Sequence, residues 1–176
     1  MAVGLNERQL EAIAETLDLA QQLGVEVWLR GGWAMDFFLG EITREHVDVD
    51  WFAWSHEAAR LAAALTDHGY ALLADPPHDQ QLDLVRADVE LSFALLARDK
   101  HGRVVVAGGP WADEPWPDGM LDGGLGRLGG LRCPIIEPRA QIEIKQMMPV
   151  WVPGRPRRAK DAADIARLAA ALVCTD

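Results

Sequence analysis

Apolar residues recur along the chain with two periods, one of about 3.6 residues and one of two. The longer period is clearest near the two ends, where Leu10 and Ile13, and later Leu168 and Leu172, fall on single stripes. The pattern predicts helices over 5–23, 33–39, 56–68, 138–148 and 159–173. It predicts strands over 25–29, 47–54, 70–74, 82–86, 88–97, 103–107 and 131–136.

The order of these elements indicates the fold class. The chain opens with helix, strand, helix, strand, and strands fill its middle, which predicts an α/β (α+β) domain with a mixed β-sheet and flanking helices. Residues 108–130 are rich in Gly, Pro, Asp and Trp and have no period, so we expect a long loop. A loop of this length seldom serves only to connect two elements. We expect a core over 1–107 and a loop with C-terminal helices over 108–176, within one compact unit.

Charge narrows the class of partner. The 176 residues include 27 acidic and 17 basic side chains, which gives a formal net charge of −10. Such an acidic excess disfavours binding to a nucleic-acid backbone and suits a cationic small ligand. Acidic surfaces also serve solubility alone, which is the simpler interpretation. We therefore expect no nucleic-acid partner.

Cysteine usage and the apolar runs indicate the compartment. Cys133 and Cys174 are far apart and form no metal-binding or disulfide pattern. The first residues lack the basic and apolar runs of a signal peptide, and no apolar run reaches membrane-spanning length. These features predict a cytoplasmic protein without a membrane segment.

Two aspartates, Asp48 and Asp50, lie one residue apart in a predicted strand, where alternate side chains point to the same face. If the strand begins early enough, Arg44 and His46 share this face, and Val47 lies on the opposite one. Two partly buried carboxylates about 6.5–7 Å apart repel each other unless one is protonated or a cation lies between them. Oxygen ligands of this kind suit Mg²⁺ together with substrate phosphates. The alternative is a solvent-exposed pair on an edge strand.

A third carboxylate comes from the alternating stretch "DVELSFALL". Glu90 falls on the polar face of this strand and can complete a set of three with Asp48 and Asp50 if the two strands are neighbours. Three carboxylates can hold two metal ions about 3.5–4 Å apart, as in phosphoryl and nucleotidyl transfer. Asp83 and Asp88 are rivals for the third place, but Asp88 falls on the other face and Asp83 lies on an earlier segment.

The stretch "LRGGWAMDFFLG" before the acidic pair has the pattern of a strand, a glycine pair and a helix. A helix N-terminus presents free N–H groups to an anion, and glycine lets a phosphate approach the backbone. Gly31 and Gly32 are therefore candidate phosphate-binding residues. A plain tight turn is the alternative for the glycine pair.

Together, "GGWAMDFFLGEITREHVDVD" resembles the Gly-Gly-Trp … Thr-Arg-x-His-x-Asp-x-Asp signature of small antibiotic nucleotidyltransferases. These are the aminoglycoside 2''-adenylyltransferases and lincosamide nucleotidyltransferases of the DNA polymerase β-like superfamily. The likeness is dense over 29–50 and looser to about 96, and "RRAKDAADIARL" is similar to the helix that closes many such domains. The resemblance implies a polymerase β-like core. It also implies transfer of a nucleoside monophosphate, usually from ATP, to a hydroxyl of a small acceptor, with release of pyrophosphate.

The resemblance also implies roles for individual residues. Asp48 and Asp50 match the metal-binding pair, and Glu90 matches the third carboxylate, which can bind metal and serve as general base. Gly31 and Gly32 match the phosphate-binding turn, where many members of the superfamily have Gly-Ser.

Four further residues are candidates for the nucleotide end of the site. Arg44 and His46 match motif positions and are expected to support the nucleotide. Lys145 and Lys160, in the C-terminal helices, are candidate phosphate contacts, with solvated side chains as the alternative.

The loop 108–130 is the candidate acceptor side. Acidic and aromatic side chains suit a polycationic sugar by charge and by cation–π contact. Alternatively, the tryptophans of the loop pack on the core and its acids are only solvated. The residues concerned are Asp113, Glu114, Asp118, Asp122, Trp111 and Trp116.

Three functions are consistent with these features. The first is an antibiotic nucleotidyltransferase, the second is the same chemistry on a protein or another metabolite, and the third is a nucleotide-binding domain without catalysis. Clustered carboxylates argue against the third, because unused like charges would only destabilise the fold. The sequence does not name the acceptor or the preferred nucleotide, and it leaves a homodimer open.

Overall fold

The computed structural model describes residues 3–175, which form a mixed sheet with helices on both faces. The helices in this range are α1 Leu5–Leu23, α2 Gly31–Leu39, α3 Ser55–Asp67, α4 Pro138–Trp151 and α5 Ala159–Val173. The strands are β1 Val27–Arg30, β2 Val49–Trp54, β3 Ala71–Leu72, β4 Gln81–Arg86, β5 Val89–Arg98, β6 Val104–Val106, β7 Leu125–Leu128 and β8 Leu131–Pro134. Residues Gly109–Trp111 form a short 3₁₀ turn.

Six strands form the main sheet, in the order β1-β2-β5-β4-β3, with β6 paired to the far end of β5. Strands β2 and β5 run parallel, and the other neighbours run antiparallel. β7 and β8 form a separate hairpin, closed by Gly129 and Gly130 at φ values of 55° and 80° that favour glycine. The predicted α/β class with a mixed sheet is confirmed.

One face of the main sheet is apolar across its central strands. Alternate residues of β2 and β5, including Val49, Trp51, Leu91 and Phe93, point to this face and pack with α1 and α3. Each of these four side chains is at most 2% exposed. Burying a large apolar side chain stabilises the fold by about 1.5–3 kcal/mol. Because a slip of one residue would turn these side chains to the other face, they specify the strand register.

The opposite face is divided into two halves. Trp28, Phe52, Trp54 and Leu96 occupy one half, which is covered by α4 and by residues 116–121. The other half carries the ends of the same strands, where polar and charged side chains replace the aromatic ones. Helix α4 and residues 116–121 therefore cover the apolar half of this face, and the polar half carries the candidate functional side chains.

The C-terminal part packs against the core at the start of α2. Ile135 follows β8 and pairs with Leu29 of β1 in a parallel bridge. Gln141 of α4 donates a hydrogen bond of 2.6 Å to the carbonyl of Gly31. No helix within residues 3–175 is both long enough and apolar enough to cross a membrane.

The second strand is shorter than predicted, and this changes the location of four residues. β2 begins at Val49, so Arg44, His46 and Asp48 lie in the loop before it. Val47 is 74% exposed and does not join the apolar face that strict alternation predicts. The alternation rule fails here because it applies only to residues inside the paired strand.

Other boundaries differ in smaller ways. Strand β1 is offset from the prediction and ends at Arg30, and α2 begins at Gly31, so the glycine pair is the first turn of the helix and not a separate turn. The stretch 108–130, predicted as a loop throughout, contains β7. β7 has only four residues, "LGRL", and these are too few for a period to be visible.

Candidate active site

A row of polar side chains crosses four strands at the polar half of the second face. The strand register pairs Arg30 of β1 with Asp50 of β2, Asp50 with Ser92 of β5, and Ser92 with Asp83 of β4. Residues paired across neighbouring strands point to the same face, so these four lie side by side. Glu90 lies two residues before Ser92 and shares this face.

The carboxylates of this row affect one another. Burial and the neighbouring charges of Asp50 and Glu90 raise the pKa of Asp48 to about 6. Burial also raises the pKa of Asp50, and the charge of Arg30 opposes this. The pKa of Glu90 is raised by burial and then by the charges of Asp83 and Asp50. The sequence-predicted triplet Asp48, Asp50 and Glu90 is therefore brought into one electrostatic neighbourhood.

Positive and negative groups lie on different sides of Asp50. Lys145 of α4 and Lys160 of α5, like Arg30, act to lower the pKa of Asp50, whereas Asp83 acts to raise it. In the sheet order, β1 carries Arg30 on one side of Asp50, and β4 carries Asp83 on the other. The site thus has a cationic side toward β1 and an anionic side toward β4.

The aspartate pair fits a divalent cation. A cation relieves the repulsion that otherwise favours protonation, and carboxylate oxygens are ligands that Mg²⁺ prefers. In the part of the chain that the structure describes, no three acidic, histidine or cysteine side chains are close enough to form a metal site by themselves. The prediction that Glu90 completes a three-ligand set with Asp48 and Asp50 stays a prediction. The two aspartates are the residues that fit the ion.

Arg44 and His46 pack against α2. His46 is 3% exposed, and its Nε2 lies 2.6 Å from Oδ2 of Asp36. Nη1 of Arg44 lies 3.2 Å from Nδ1 of His46. Because arginine can only donate, Nδ1 accepts this bond and Nε2 carries the proton donated to Asp36. The buried side chain of His46 therefore contacts α2, and the expectation that Arg44 and His46 support the nucleotide stays a prediction.

A side chain at either glycine would collide with a neighbour, and the neighbour differs between the two positions. Gly31 has a φ of +67°, and a Cβ on it would lie 2.9 Å from Oδ2 of Asp50. A Cβ on Gly32 would lie 2.4 Å from Nδ1 of His46 and 2.7 Å from Nη2 of Arg44. Gly31 therefore places the start of α2 directly beside the acidic site, and Gly32 lets the loop side chains pack against the same turn.

Lys145 is held by carboxylates of α5. Its Nζ lies 3.2 Å from Asp164 and 3.5 Å from Asp161, and its side chain is 11% exposed. Asp164 is fully buried and also accepts a 2.8 Å hydrogen bond from Arg44. Burial opposes ionisation, but the bonds from Arg44 and Lys145 keep the pKa of Asp164 below its ordinary value. Lys145 is thus positioned by α5, while Lys160 is exposed at the start of that helix.

In the loop 108–130, one tryptophan packs on the core and the other is exposed. Trp116 packs edge-to-face on Phe52, with ring centroids 5.0 Å apart, whereas Trp111 is 43% exposed. The four loop acids are exposed, and within residues 3–175 none is among the groups that shift the pKa of the site's carboxylates. These acids are Asp113, Glu114, Asp118 and Asp122.

Three residues of the row, Arg30, Ser92 and Asp83, were not assigned to the site from the sequence. The turn at Ala87 and Asp88 joins β4 to β5, and a two-residue hairpin would have paired Asp83 with Ser92. Asp88, the other rival, is exposed and binds Arg8 away from the row. Arg30 directly precedes the glycine pair, but its inward orientation depends on the antiparallel pairing of β1 with β2.

Comparison with known proteins decides the family. The family model described as aminoglycoside-2''-adenylyltransferase matches residues 12–168. The chain belongs to this family. The match includes the glycine pair, the two aspartates and Glu90, and it confirms the resemblance that the signature indicated.

Matches to individual family relatives are shorter. The chain is 36% identical over 56 residues to a lincosamide resistance protein of Staphylococcus haemolyticus, covering 32% of this chain and 35% of the relative. It is 37% identical over 46 residues to a 2''-aminoglycoside nucleotidyltransferase of Klebsiella pneumoniae, covering 26% of each. The matched segments therefore span about a third and about a quarter of these relatives.

The fold of the family extends over nearly the whole chain. The structure of ANT(2'')-Ia in complex with adenylyl-2''-tobramycin superposes with a TM-score of 0.75 at 20% identity, covering 94% of this chain and 90% of that one. The lincomycin-bound lincosamide antibiotic adenylyltransferase LnuA superposes with a TM-score of 0.70 at 22% identity, covering 93% and 96%. These likenesses confirm the predicted nucleotidyltransferase fold.

The raised pKa of Asp48 predicts a pH-dependent stability. The folded state binds this proton more tightly than the unfolded state, whose aspartate pKa is about 3.9. Stability from this group is therefore present at low pH and is lost as pH rises through about 6. Without divalent cations, Asp48→Asn should raise the melting temperature above that of the wild type at pH 8, and the difference should vanish near pH 4.

The control for this measurement is Asp18→Asn, on the exposed face of α1. It should change the melting temperature by the same small amount at both pH values. A wild type that is at least as stable as Asp48→Asn at pH 8 would contradict the raised pKa of Asp48. Addition of Mg²⁺ should stabilise the wild type and leave Asp48→Asn nearly unchanged.

The buried carboxylate of Asp164 predicts a large loss on neutralisation. Asp164→Asn leaves the cations of Arg44 and Lys145 without their buried partner, which typically costs about 3–5 kcal/mol. Urea denaturation should report a fall of that order in the free energy of unfolding. The matched variant is Asp161→Asn, one turn earlier on α5 and nearer the surface, with an expected loss of about 1 kcal/mol or less. Equal losses of unfolding free energy in the two variants would contradict the role of Asp164 as the buried partner of both cations.

Proposed function

We propose that the protein transfers a nucleoside monophosphate, AMP from ATP, to a hydroxyl of a small cationic antibiotic and releases pyrophosphate. The observation that carries this proposal is the aspartate pair Asp48 and Asp50 beside the glycine start of α2, with Arg30 on the β1 side and Asp83 on the β4 side. Family membership supports the reaction, and the names of the relatives support an aminoglycoside or lincosamide as acceptor.

Asp48 and Asp50 would hold Mg²⁺ together with oxygens of the triphosphate, and Glu90 would join them if a second ion binds. When bound, Mg²⁺ neutralises the triphosphate and stabilises the charge that develops on the leaving pyrophosphate. The start of α2 offers backbone N–H groups from Gly31 and Gly32 to a phosphate oxygen. Lys145 and Lys160 add positive charge near Asp50.

Glu90 is the proposed general base. The acceptor hydroxyl gives its proton to Glu90. The hydroxyl oxygen then forms a bond to the α-phosphorus of the nucleotide. The bond from that phosphorus to the bridging oxygen breaks, and pyrophosphate leaves with the electron pair. Burial and the charges of Asp83 and Asp50 raise the pKa of Glu90, which brings this base closer to working pH.

The anionic side of the site is the proposed acceptor side. Asp83 and Glu90 lie on the face of β4 and β5 beyond Asp50, away from Arg30. A net charge of −10 raises the local concentration of a cationic ligand. A polyamine sugar would thus approach from the β4 side, with its hydroxyl toward Glu90 and its ammonium groups toward the acids.

The test of this proposal is pyrophosphate release from ATP in the presence of Mg²⁺ and a panel of aminoglycosides and lincosamides. We expect release that depends on one drug class and is lost in Asp50→Asn, because the variant removes a negative ligand of the cation. Mass spectrometry of the drug should show the added nucleoside monophosphate.

Two other results would contradict this function. Release that proceeds without any antibiotic, or only with a protein acceptor, would move the chemistry to another substrate. Mg²⁺-dependent ATP binding without release for any acceptor would indicate a nucleotide-binding domain without catalysis.

The base assignment predicts a specific kinetic change. Glu90→Gln removes the proton acceptor but keeps the size of the side chain, so turnover should fall by about 10²–10⁴-fold. The affinity for ATP should remain within a few-fold of the wild type, because the aspartate pair is unchanged. Stopped-flow or steady-state assays with saturating acceptor measure the turnover, and calorimetry measures the affinity for ATP.

Two matched variants test the rivals of Glu90. Asp88→Asn, at the exposed turn after β4, should leave turnover unchanged. Asp83→Asn should mainly raise the KM for the acceptor. A 10²-fold fall in turnover for Asp83→Asn, with little change for Glu90→Gln, would transfer the base role to Asp83.

A further inference from the structure

Arg30 differs from the other partly buried arginines. Its guanidinium carbon lies 4.3 Å from the centroid of the Phe52 ring and 5.6 Å from that of Trp116. Within residues 3–175, the other three partly buried arginines each bind a carboxylate, and Arg30 has neither a hydrogen bond nor an ion pair. Those three are Arg8 with Asp88, Arg44 with Asp164, and Arg86 with Glu15.

The guanidinium of Arg30 lies near enough to the acidic site for its charge to act on Asp50. Arg30 is the register partner of Asp50, and its charge acts on that carboxylate without forming an ion pair in the described chain. Burial lowers the pKa of Arg30, and the charges of Asp50 and Asp48 oppose this. A guanidinium stays charged in proteins, so a fixed positive charge with unused N–H groups lies next to the catalytic aspartates.

Aromatic packing holds the guanidinium in place. Contact with the faces of Phe52 and Trp116 stabilises the cation, and the two rings pack edge-to-face on each other. The next residue, Gly31, begins α2, so the unpaired N–H groups of that helix start lie beside Arg30. A planar fork of donors next to a helix N-terminus matches the geometry of phosphate oxygens.

We propose that Arg30 binds the β- and γ-phosphates of the nucleoside triphosphate and holds the pyrophosphate as it leaves. This inference rests on the proposed nucleotidyl transfer and adds a substrate-binding residue to it. Arg30 lies on the cationic side of Asp50, opposite the acids of the acceptor side. The triphosphate tail therefore extends toward β1 and α4, where positive charge offsets the charge that pyrophosphate gains when the bond breaks.

The affinities for separate parts of the nucleotide test whether Arg30 binds the β- and γ-phosphates. Isothermal titration of the full chain with pyrophosphate, AMP and ATP, all with Mg²⁺, separates contacts to the leaving phosphates from contacts to the rest. Arg30→Gln should weaken pyrophosphate and ATP binding by about 10–100-fold, the range for a charge-assisted hydrogen bond, and change AMP affinity by less than about threefold.

Two further variants make the result specific. Arg30→Lys keeps the charge and the aromatic contact but loses the fork, so its loss should lie between those of the wild type and Arg30→Gln. Arg98→Gln is the matched control, because Arg98 packs 4.7 Å over the ring of Trp54 at the other end of the same sheet face. It should bind pyrophosphate as the wild type does.

The outcomes separate this inference from the proposed function. If the wild type binds neither pyrophosphate nor ATP, nucleotidyl transfer is overturned, and the role of Arg30 with it. If the wild type binds both and Arg30→Gln binds them equally well, only the role of Arg30 is overturned. Equal losses for AMP and pyrophosphate would make Arg30 a structural counter-ion of Asp50 and would also overturn the inference.

Discussion

Burial of two neighbouring negative groups, Asp48 and Asp50, is the constraint on which the site depends. The neighbours of Asp50 in β2, Val49 and Trp51, are fully buried on the other face, so the strand cannot rotate to carry this carboxylate into solvent. Arg30 reduces the cost of the charge, but the pKa of Asp50 stays above its ordinary value. The fold thus retains a negative charge that is only partly compensated, and a cation carried by a triphosphate would complete the compensation.

A chain of charged and polar residues connects the loop before β2 to the C-terminal helices. Asp36 of α2 binds His46, His46 contacts Arg44, and Arg44 shares the buried Asp164 of α5 with Lys145 of α4. Buried charges are costly unless each is paired, so alternative arrangements of these helices would leave one charge exposed to a low-dielectric interior. The loop before β2 therefore does more than carry motif residues, because its Arg44 holds Asp164, the carboxylate that positions Lys145.

The division of charge across the sheet also explains why the aromatic residues cluster. Phe52 and Trp116 cover the apolar half of the second face and at the same time support Arg30. Trp116 comes from the stretch that the sequence indicated as an acceptor loop, and this part of the stretch instead packs against Arg30 and Phe52. The acids of the loop remain at the surface, and the acids closest to the aspartate pair come from β4 and β5.

The sequence by itself determined the local features: the mixed α/β class, the aspartate pair, Glu90 and the glycine pair, because each depends on residues close together in the chain or on strand alternation. It also contained the family signature. Only the tertiary structure decided that His46 faces inward, that Asp83 joins the row and that Arg30 lies beside Asp50. These three facts depend on where β2 begins and on which strands are neighbours, and pairing between distant segments is set by packing of the whole core.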